Sequence, residues 1–209
     1  MIHVQIQPEP PEFDKLVRQP GVAYLKLHPK PPSKQWKSHS YWRKIVPQLR
    51  KSYQEICAYC CHWIPPDTGS NTVEHFLPKD KYPKQAYEWN NYRLVSGTLN
   101  GRKGIREDVL DPFQIENGWF IIDFPALLVK PAQGLLPSIA QSVQITIDIL
   151  GLNNEGTCLQ GREAYIRAYC LGEIDFPHLK KKAPFIAFEL QRQGLVQSIK
   201  SIMCYRTSH

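Results

Sequence analysis

Apolar positions recur at helical spacing over much of the chain. From Ser33 to about Ile56 they lie three to four residues apart, which predicts a helix capped by Ser33. Pro47 breaks or kinks this run, so two shorter helices are also possible. The later helices are predicted over three segments: Pro137–Gly151, Asn154–Leu171 and Pro184–Ile202.

Two other regions have different patterns. The first 32 residues are rich in proline, which favours short extended pieces such as His3–Gln7 and Val22–Leu27 and disfavours a long helix. Gly118–Lys130 is rich in β-branched and aromatic residues and predicts a strand or a hairpin.

These elements predict an α+β fold. The segments expected are an N-terminal extended arm and helix (1–56), a compact mixed core (57–112), and a β-hairpin with a C-terminal helical module (113–209). The helical parts would shape a groove around the mixed core.

Composition points weakly to a polyanionic partner. The chain has 209 residues, a formal net charge of +7 and 42% hydrophobic residues, which excludes a disordered basic tail. Basic residues cluster in Lys26–Lys51, which contains no acidic residue, and Trp36, Tyr41 and Trp42 lie between them. Such a pattern suits a surface that tracks phosphates, although the aromatic residues are more typical of a core face.

The N-terminal sequence resembles no secretory leader, and no stretch approaches the roughly 18 apolar residues of a membrane span. We therefore expect a soluble, cytoplasmic protein without membrane contact. In that compartment six cysteines do not predict a disulfide framework. Cys57 and Cys60 form the one pair with metal-ligand spacing.

Three short motifs follow one another between residues 57 and 103: Cys57-Ala-Tyr-Cys60, then Glu74-His75-Phe-Leu-Pro78-Lys79, then Trp89-Asn90-Asn91 with Asn100 and Lys103 beyond. Hydrolysis of a phosphodiester needs an activated water, a cation to stabilise charge, and a rigid frame. An imidazole is a suitable base near neutral pH. Pro78 is consistent with a strand that stops just after His75.

In this order and spacing the motifs resemble the HNH, or ββα-metal, nucleases. The resemblance implies a first strand ending at the histidine, a loop, a second strand at about Tyr92–Ser96, and a helix from about Leu99. It implies that His75 is the general base and that Asn91 braces the loop that holds this histidine. Glu74 and Asn100 would be the metal ligands.

The implied ligands and cations define the expected cofactor and substrate. Carboxylate and carboxamide oxygens favour Mg²⁺ or Mn²⁺. Lys79 on the loop and Lys103 on the helix could contact nucleic-acid phosphates. Many HNH domains carry a second cysteine pair around zinc, but this chain has Ser96 and Leu99 at those positions. Zinc is therefore unlikely, and Cys57 and Cys60 would be a vestige of that site.

A wider similarity covers roughly residues 45–195. It depends on Leu110-Asp111-Pro112-Phe113 and on Ile145–Asn153 followed by Arg162, which resemble the nuclease subunit of Septu-type and retron-linked anti-phage systems. In those systems the nuclease works with an ATPase, so the resemblance implies an ATPase partner and DNA as the favoured substrate. Asn153 and Arg162 are expected to be structural.

Three alternatives stay open at this point. The same chemistry could act on RNA. A decayed HNH fold could serve as a non-catalytic nucleic-acid-binding or scaffold subunit, which the missing cysteine pair favours and the intact His75 and Asn91 oppose. Asn100 could also be a helix N-cap rather than a ligand.

Overall fold

The computed structural model describes residues 1–67 and 71–203. They form two compact units. The N-terminal unit comprises residues 5–58 and 64–107, and the C-terminal unit comprises 1–4, 59–63 and 108–209. Helices and two separate two-stranded sheets make up these units, which confirms the α+β class.

The N-terminal unit contains the predicted strand–strand–helix order. Strand β1 (Asn71–His75) pairs antiparallel with β2 (Tyr92–Ser96), and His75 lies opposite Tyr92. Helix α3 (Gly97–Lys103) follows β2 without a loop. The predicted end of the first strand, the second strand and the helix are therefore confirmed.

The N-terminal arm differs from the sequence prediction. In place of one helix to Ile56 there are two 3₁₀ turns, Ser33–Lys37 and Tyr41–Ile45, and a short helix α2 (Val46–Ser52). Pro47 lies in the first turn of α2, where its missing N–H costs nothing, so it begins the helix. Ser33 does not cap; its hydroxyl donates to the Asp80 carboxylate at 2.6 Å.

The prediction of an extended Val22–Leu27 is wrong. Helix α1 (Gln19–Leu27) covers it and continues directly from a wider helical turn at Asp14–Arg18. Pro20 is tolerated because it lies in the first turn of α1. A Cβ added at Gly21 would lie 2.1 Å from Cγ of Tyr87, so this helix can approach the ring only because the residue is glycine.

Aromatic side chains form much of the core of the N-terminal unit. Trp36 and Trp42 are buried, at 3% and 8% exposure, as is Tyr87. Their rings are tilted against one another, with the Trp36 and Trp42 centroids 6.2 Å apart. The interpretation of these tryptophans as core residues is confirmed.

The C-terminal unit consists of a hairpin and helices. Strands β3 (Phe120–Asp123) and β4 (Leu128–Pro131) confirm the predicted hairpin. The helices are α4 (Pro137–Leu150), α5 (Gln160–Leu171), α6 (Phe176–Lys182), α7 (Pro184–Arg192) and α8 (Ile199–Met203). Gly151 ends α4 in a left-handed conformation, as predicted. The single helix predicted over Pro184–Ile202 is instead divided, with Gly194 at positive φ between its two parts.

Side chains cover both outer edges of this hairpin. On β4, the Asn153 amide accepts from Val129 N at 2.8 Å and donates to Val129 O at 2.9 Å, as a further strand would. On β3, the buried Glu189 accepts from Ile122 N at 3.0 Å, and Gln193 donates to Ile122 O at 2.8 Å. Edge strands otherwise present unpaired backbone groups, so these amides and carboxylate block further pairing.

No helix within the described ranges is long and apolar enough to cross a membrane.

Candidate active site

A cleft of about 690 Å³ opens in the N-terminal unit, beside the end of β1. Its walls come from β1, the segment after it, helix α3, and the arm between residues 36 and 46. The predicted site residues that line it are Glu74, His75, Lys79 and Asn100. The fold therefore brings these four residues, separated by up to 26 positions, to one cleft.

His75 is the last residue of β1 and is buried at 6% exposure. Its Nε2 lies 3.0 Å from the carbonyl oxygen of Ala86, which fixes Nε2 as the protonated nitrogen and Nδ1 as the unprotonated one. The Trp42 and Tyr92 rings pack edge-on against the imidazole, at centroid distances of 4.5 and 5.2 Å. Nδ1 accepts no hydrogen bond from the part of the chain that the structure describes.

Burial determines the protonation state of this histidine. It lowers the pKa of His75 to about 3, and the nearby Lys79 ammonium lowers it further, while the Ala86 carbonyl acts in the opposite direction. The imidazole is therefore neutral at physiological pH and able to accept a proton at Nδ1.

Asn91 joins the two ends of the loop that follows β1. Its Oδ1 accepts from Leu77 N at 2.7 Å, and its Nδ2 donates to Leu77 O at 3.0 Å and to Gln85 O at 2.9 Å. Ala86, whose carbonyl orients His75, follows Gln85 directly. The Asn91 amide therefore holds the loop whose Ala86 carbonyl orients His75.

Glu74 and Lys103 form a buried ion pair at the floor of the cleft. Lys103 Nζ lies 2.7 Å from Glu74 Oε1 and donates to Phe76 O at 3.0 Å; its side chain is fully buried and that of Glu74 is 2% exposed. Burial raises the pKa of Glu74 to about 7, although the ammonium of Lys103 lowers it.

Lys103 therefore lies differently from the position expected for a phosphate contact. A phosphate contact would need the Lys103 ammonium to reach the surface of α3. The short helix α3 instead packs on β1 and directs Lys103 inward to Glu74.

Asn100 is the fourth residue of α3, and Ser96 precedes the helix, so the alternative of Asn100 as an N-cap is excluded. Its Nδ2 donates to Thr72 Oγ1 at 2.7 Å, and Thr72 in turn donates to Val95 O at 2.9 Å. Asn100 Oδ1 accepts no hydrogen bond from the described residues. The amide is thus oriented by β1, with its oxygen available to a ligand.

The residues present fit a hard divalent cation at one end of the cleft. Asn100 Oδ1 and the second carboxylate oxygen of Glu74 are oxygen donors of the kind that Mg²⁺ and Mn²⁺ prefer, and neither is taken by a described side chain. The ammonium of Lys103 holds the first Glu74 oxygen, so a cation would share this carboxylate with it.

The cysteines do not form a recognisable metal site. Cys57 is completely buried in the N-terminal unit, and Cys60 is half-buried in the C-terminal unit. In residues 1–67 and 71–203 no group of three or more His, Cys, Asp or Glu side chains is placed to hold a metal ion. Cys204 lies outside the described residues.

Sequence reasoning missed three residues that set the geometry of the site. Trp42 and Tyr92 enclose the imidazole, and Thr72 orients Asn100. The register of β1 could have indicated Thr72, because it lies two residues before Glu74 and such residues share one face of a strand. No local signal places Trp42 against His75, because 33 residues separate them.

No family model matches the chain. It is similar to the Septu protein PtuB of Bacillus thuringiensis, with 29% identity over 119 residues, which cover 55% of this chain and 44% of PtuB. The chain thus spans less than half the length of this curated relative.

Proposed function

We propose that this chain is a metal-dependent HNH-type endonuclease that hydrolyses phosphodiester bonds in DNA. The observation that carries the proposal is the arrangement of His75. Its Nε2 is held by the Ala86 carbonyl, its Nδ1 is unprotonated, and it lines a cleft together with Asn100 and Glu74. A fixed imidazole with one unpartnered nitrogen beside oxygen donors suits the activation of water against a phosphate.

In this mechanism His75 Nδ1 accepts a proton from a water molecule. The water oxygen forms a bond to phosphorus as the bridging P–O bond breaks, and the leaving oxygen takes a proton from solvent. Trp42 and Tyr92 hold the ring in place through their edge-on contacts. Asn91 keeps the loop that carries the Ala86 carbonyl in position.

Mg²⁺ or Mn²⁺ would be held by Asn100 and Glu74. When bound, it would stabilise negative charge on the phosphate. The Lys103 ammonium holds the Glu74 carboxylate in place and offsets part of its negative charge.

We further propose a role in anti-phage defence, together with an ATPase subunit. Its support is the similarity to PtuB and the resemblance of residues 45–195 to nuclease subunits of Septu-type systems. RNA as the substrate is the alternative within the same chemistry.

One observation favours a non-catalytic scaffold instead. The Lys103–Glu74 pair satisfies the carboxylate without a metal, as a decayed site would. Under that reading cleavage would be absent, while nucleic-acid binding could persist.

The test is cleavage of plasmid DNA, with total RNA in parallel, in Mg²⁺, Mn²⁺ or EDTA, with and without the product of a neighbouring ATPase gene. We expect metal-dependent cutting that His75→Ala lowers by about a hundredfold or more, because the general base is lost. The matched control is His178→Ala, since His178 is exposed in the C-terminal unit.

Cutting that survives His75→Ala would refute the assignment of the base. Absence of cutting under every condition, with intact DNA binding, would support the scaffold instead. Circular dichroism of each variant separates loss of chemistry from loss of fold.

A further inference from the structure

Three cationic side chains line the cleft and take no part in the proposed chemistry. A phosphate contact is expected for one of them, Lys79. Lys37 and Arg43 are exposed on the two 3₁₀ turns of the arm, and the half-buried Lys79 belongs to the loop after β1. All three line the same cleft as His75. They therefore come from two separate segments of the chain that line the candidate active site.

None of these three cations makes an ion pair with another residue in the described part of the chain. Lys79 Nζ lies over the Trp42 ring, 5.8 Å from its centroid, a contact that limits the motion of the ammonium without neutralising it. Lys81, by contrast, pairs with Glu107 at 2.5 Å.

The acidic groups of the cleft do not cancel this charge. Glu74 is paired with Lys103 on the floor. The remaining carboxylate, Asp80, accepts hydrogen bonds from Ser33 Oγ at 2.6 Å and Trp36 Nε1 at 3.0 Å, which orient it to the arm. Three cations against one uncompensated carboxylate leave the mouth of the cleft positive.

We propose that Lys37, Arg43 and Lys79 bind the phosphates that flank the scissile phosphate of double-stranded DNA, without reading its sequence. This assignment rests on the proposed function, because it takes His75 as the reacting centre. Cations from these two segments would hold one strand beside His75, and contacts to phosphate position a duplex but carry no base information.

The aromatic residues of the cleft favour a duplex over a single strand. Proteins that bind single strands without sequence preference stack bases on accessible aromatic faces. Here Trp36 and Trp42 are almost completely buried, so they belong to the core and do not present faces on which bases could stack.

The test measures binding alone, in EDTA so that cleavage cannot interfere. Fluorescence anisotropy with a labelled 30-base-pair DNA duplex, at several salt concentrations, compares the full chain with the triple variant Lys37→Ala, Arg43→Ala, Lys79→Ala. The control triple is Lys34→Ala, Lys44→Ala, Lys51→Ala, which removes the same charge from exposed residues that do not line the cleft.

Each phosphate contact contributes about 0.9 to the slope of log affinity against log salt. We expect the cleft triple to lose about 2 to 3 units of this slope and at least about tenfold in affinity near physiological salt. The control triple should lose less than about threefold. A single strand of the same sequence should bind more weakly than the duplex.

Equal losses in the two triples would overturn the proposal, as would tighter binding of the single strand or no binding by the unmodified chain at low salt. Failure of the proposed nuclease function is distinguishable from these outcomes. In that case the cleft triple would still bind weakly relative to the control, but Mg²⁺ would produce no cutting by the unmodified chain.

Discussion

At the scale of single residues, two neighbouring buried side chains differ in the group that holds them. His75 and Glu74 are adjacent on β1, yet the first is held by a backbone carbonyl and the second by an ammonium. Successive side chains of a strand point to opposite faces, and the end of β1 at His75 lets both reach one cleft.

The three hydrogen bonds of Asn91 predict the effect of removing its amide. Asn91→Ala leaves Leu77 N, Leu77 O and Gln85 O without their partner, and all three of these hydrogen bonds are part-buried. We expect a loss of about 2–4 kcal/mol in the free energy of unfolding, with lower kcat for any cleavage. Urea denaturation measures the first and plasmid cleavage the second.

The control for Asn91 is its neighbour Asn90, which is exposed. Asn90→Ala should change the free energy of unfolding by less than about 0.5 kcal/mol. Similar losses in both variants would show that the loop does not depend on the Asn91 amide.

The buried pair predicts strong coupling between Lys103 and Glu74. Lys103→Met leaves a buried carboxylate without its ammonium, so we expect a loss of about 3–5 kcal/mol in the free energy of unfolding. Glu74→Gln in the same chain should restore much of it, because no uncompensated charge then remains. Denaturant unfolding of the two single variants and the double variant gives the coupling energy.

Lys84→Met is the matched control for this cycle, since Lys84 is exposed and lies outside the cleft. It should have little effect. Additive losses for Lys103 and Glu74 would contradict the role of the pair in stability.

At the scale of secondary-structure elements, the hairpin β3–β4 shows how a two-stranded sheet is made stable. Two strands alone are marginal in water. Asn153 supplies the missing partner of Val129, and Arg162 donates to Asn153 Oδ1 at 3.1 Å and to Leu127 O at 2.7 Å. The expectation that Asn153 and Arg162 are structural is confirmed, because they contact each other and the backbone of the hairpin.

This edge contact gives a prediction for the C-terminal unit. Asn153→Ala removes the donor and the acceptor that satisfy Val129, so the free energy of unfolding should fall by about 2–3 kcal/mol. Amide hydrogen exchange should show the largest loss of protection along β4. The adjacent, exposed Asn154→Ala should leave both measurements nearly unchanged.

At the scale of the whole molecule, two histidines make stability depend on pH. Burial lowers the pKa of His75 and of His62 to about 3, with Lys79 and Arg162 respectively adding to the effect. The unfolded chain then binds more protons than the folded one between about pH 6.5 and 3, so stability falls as pH drops through that window.

Glu74 acts in the opposite direction, because its raised pKa favours the folded state as it takes up a proton between about pH 7 and 4.5. Two histidines lower the stability of the folded state as pH falls, and one carboxyl raises it. We therefore expect the urea midpoint to decrease from pH 7 to pH 4.5. His62→Gln should flatten this decrease. An unchanged pH profile in His62→Gln would show that His62 is not buried in its neutral form.

His62 is also suited to this test because it is not among the residues that line the cleft. It belongs to the C-terminal unit, where its ring packs edge-on to Tyr165 at 5.4 Å and close to Gly161. A change in stability from His62→Gln is therefore independent of the proposed chemistry at His75.

The sequence alone determined the elements that local pattern controls. The end of α4 and the hairpin after Gly118 were predictable, because β-branched residues and a helix-ending Gly151 act over a few residues. The end of β1 and the strand β2 were implied by the resemblance to HNH nucleases. The candidate site residues were found through short motifs at fixed spacing. Glu74, His75 and Asn100 do lie in one cleft.

Only the tertiary structure decided how segments that are distant in the chain pack and pair with one another. Helix α1 forms in a proline-rich stretch because Gly21 permits close packing on Tyr87, 66 residues away. Lys103 faces inward because β1 places a buried carboxylate beside α3. The arm contributes three residues to the cleft that no local pattern assigned to it: Lys37, Trp42 and Arg43. Their place depends on contacts between distant segments, which spacing along the chain does not encode.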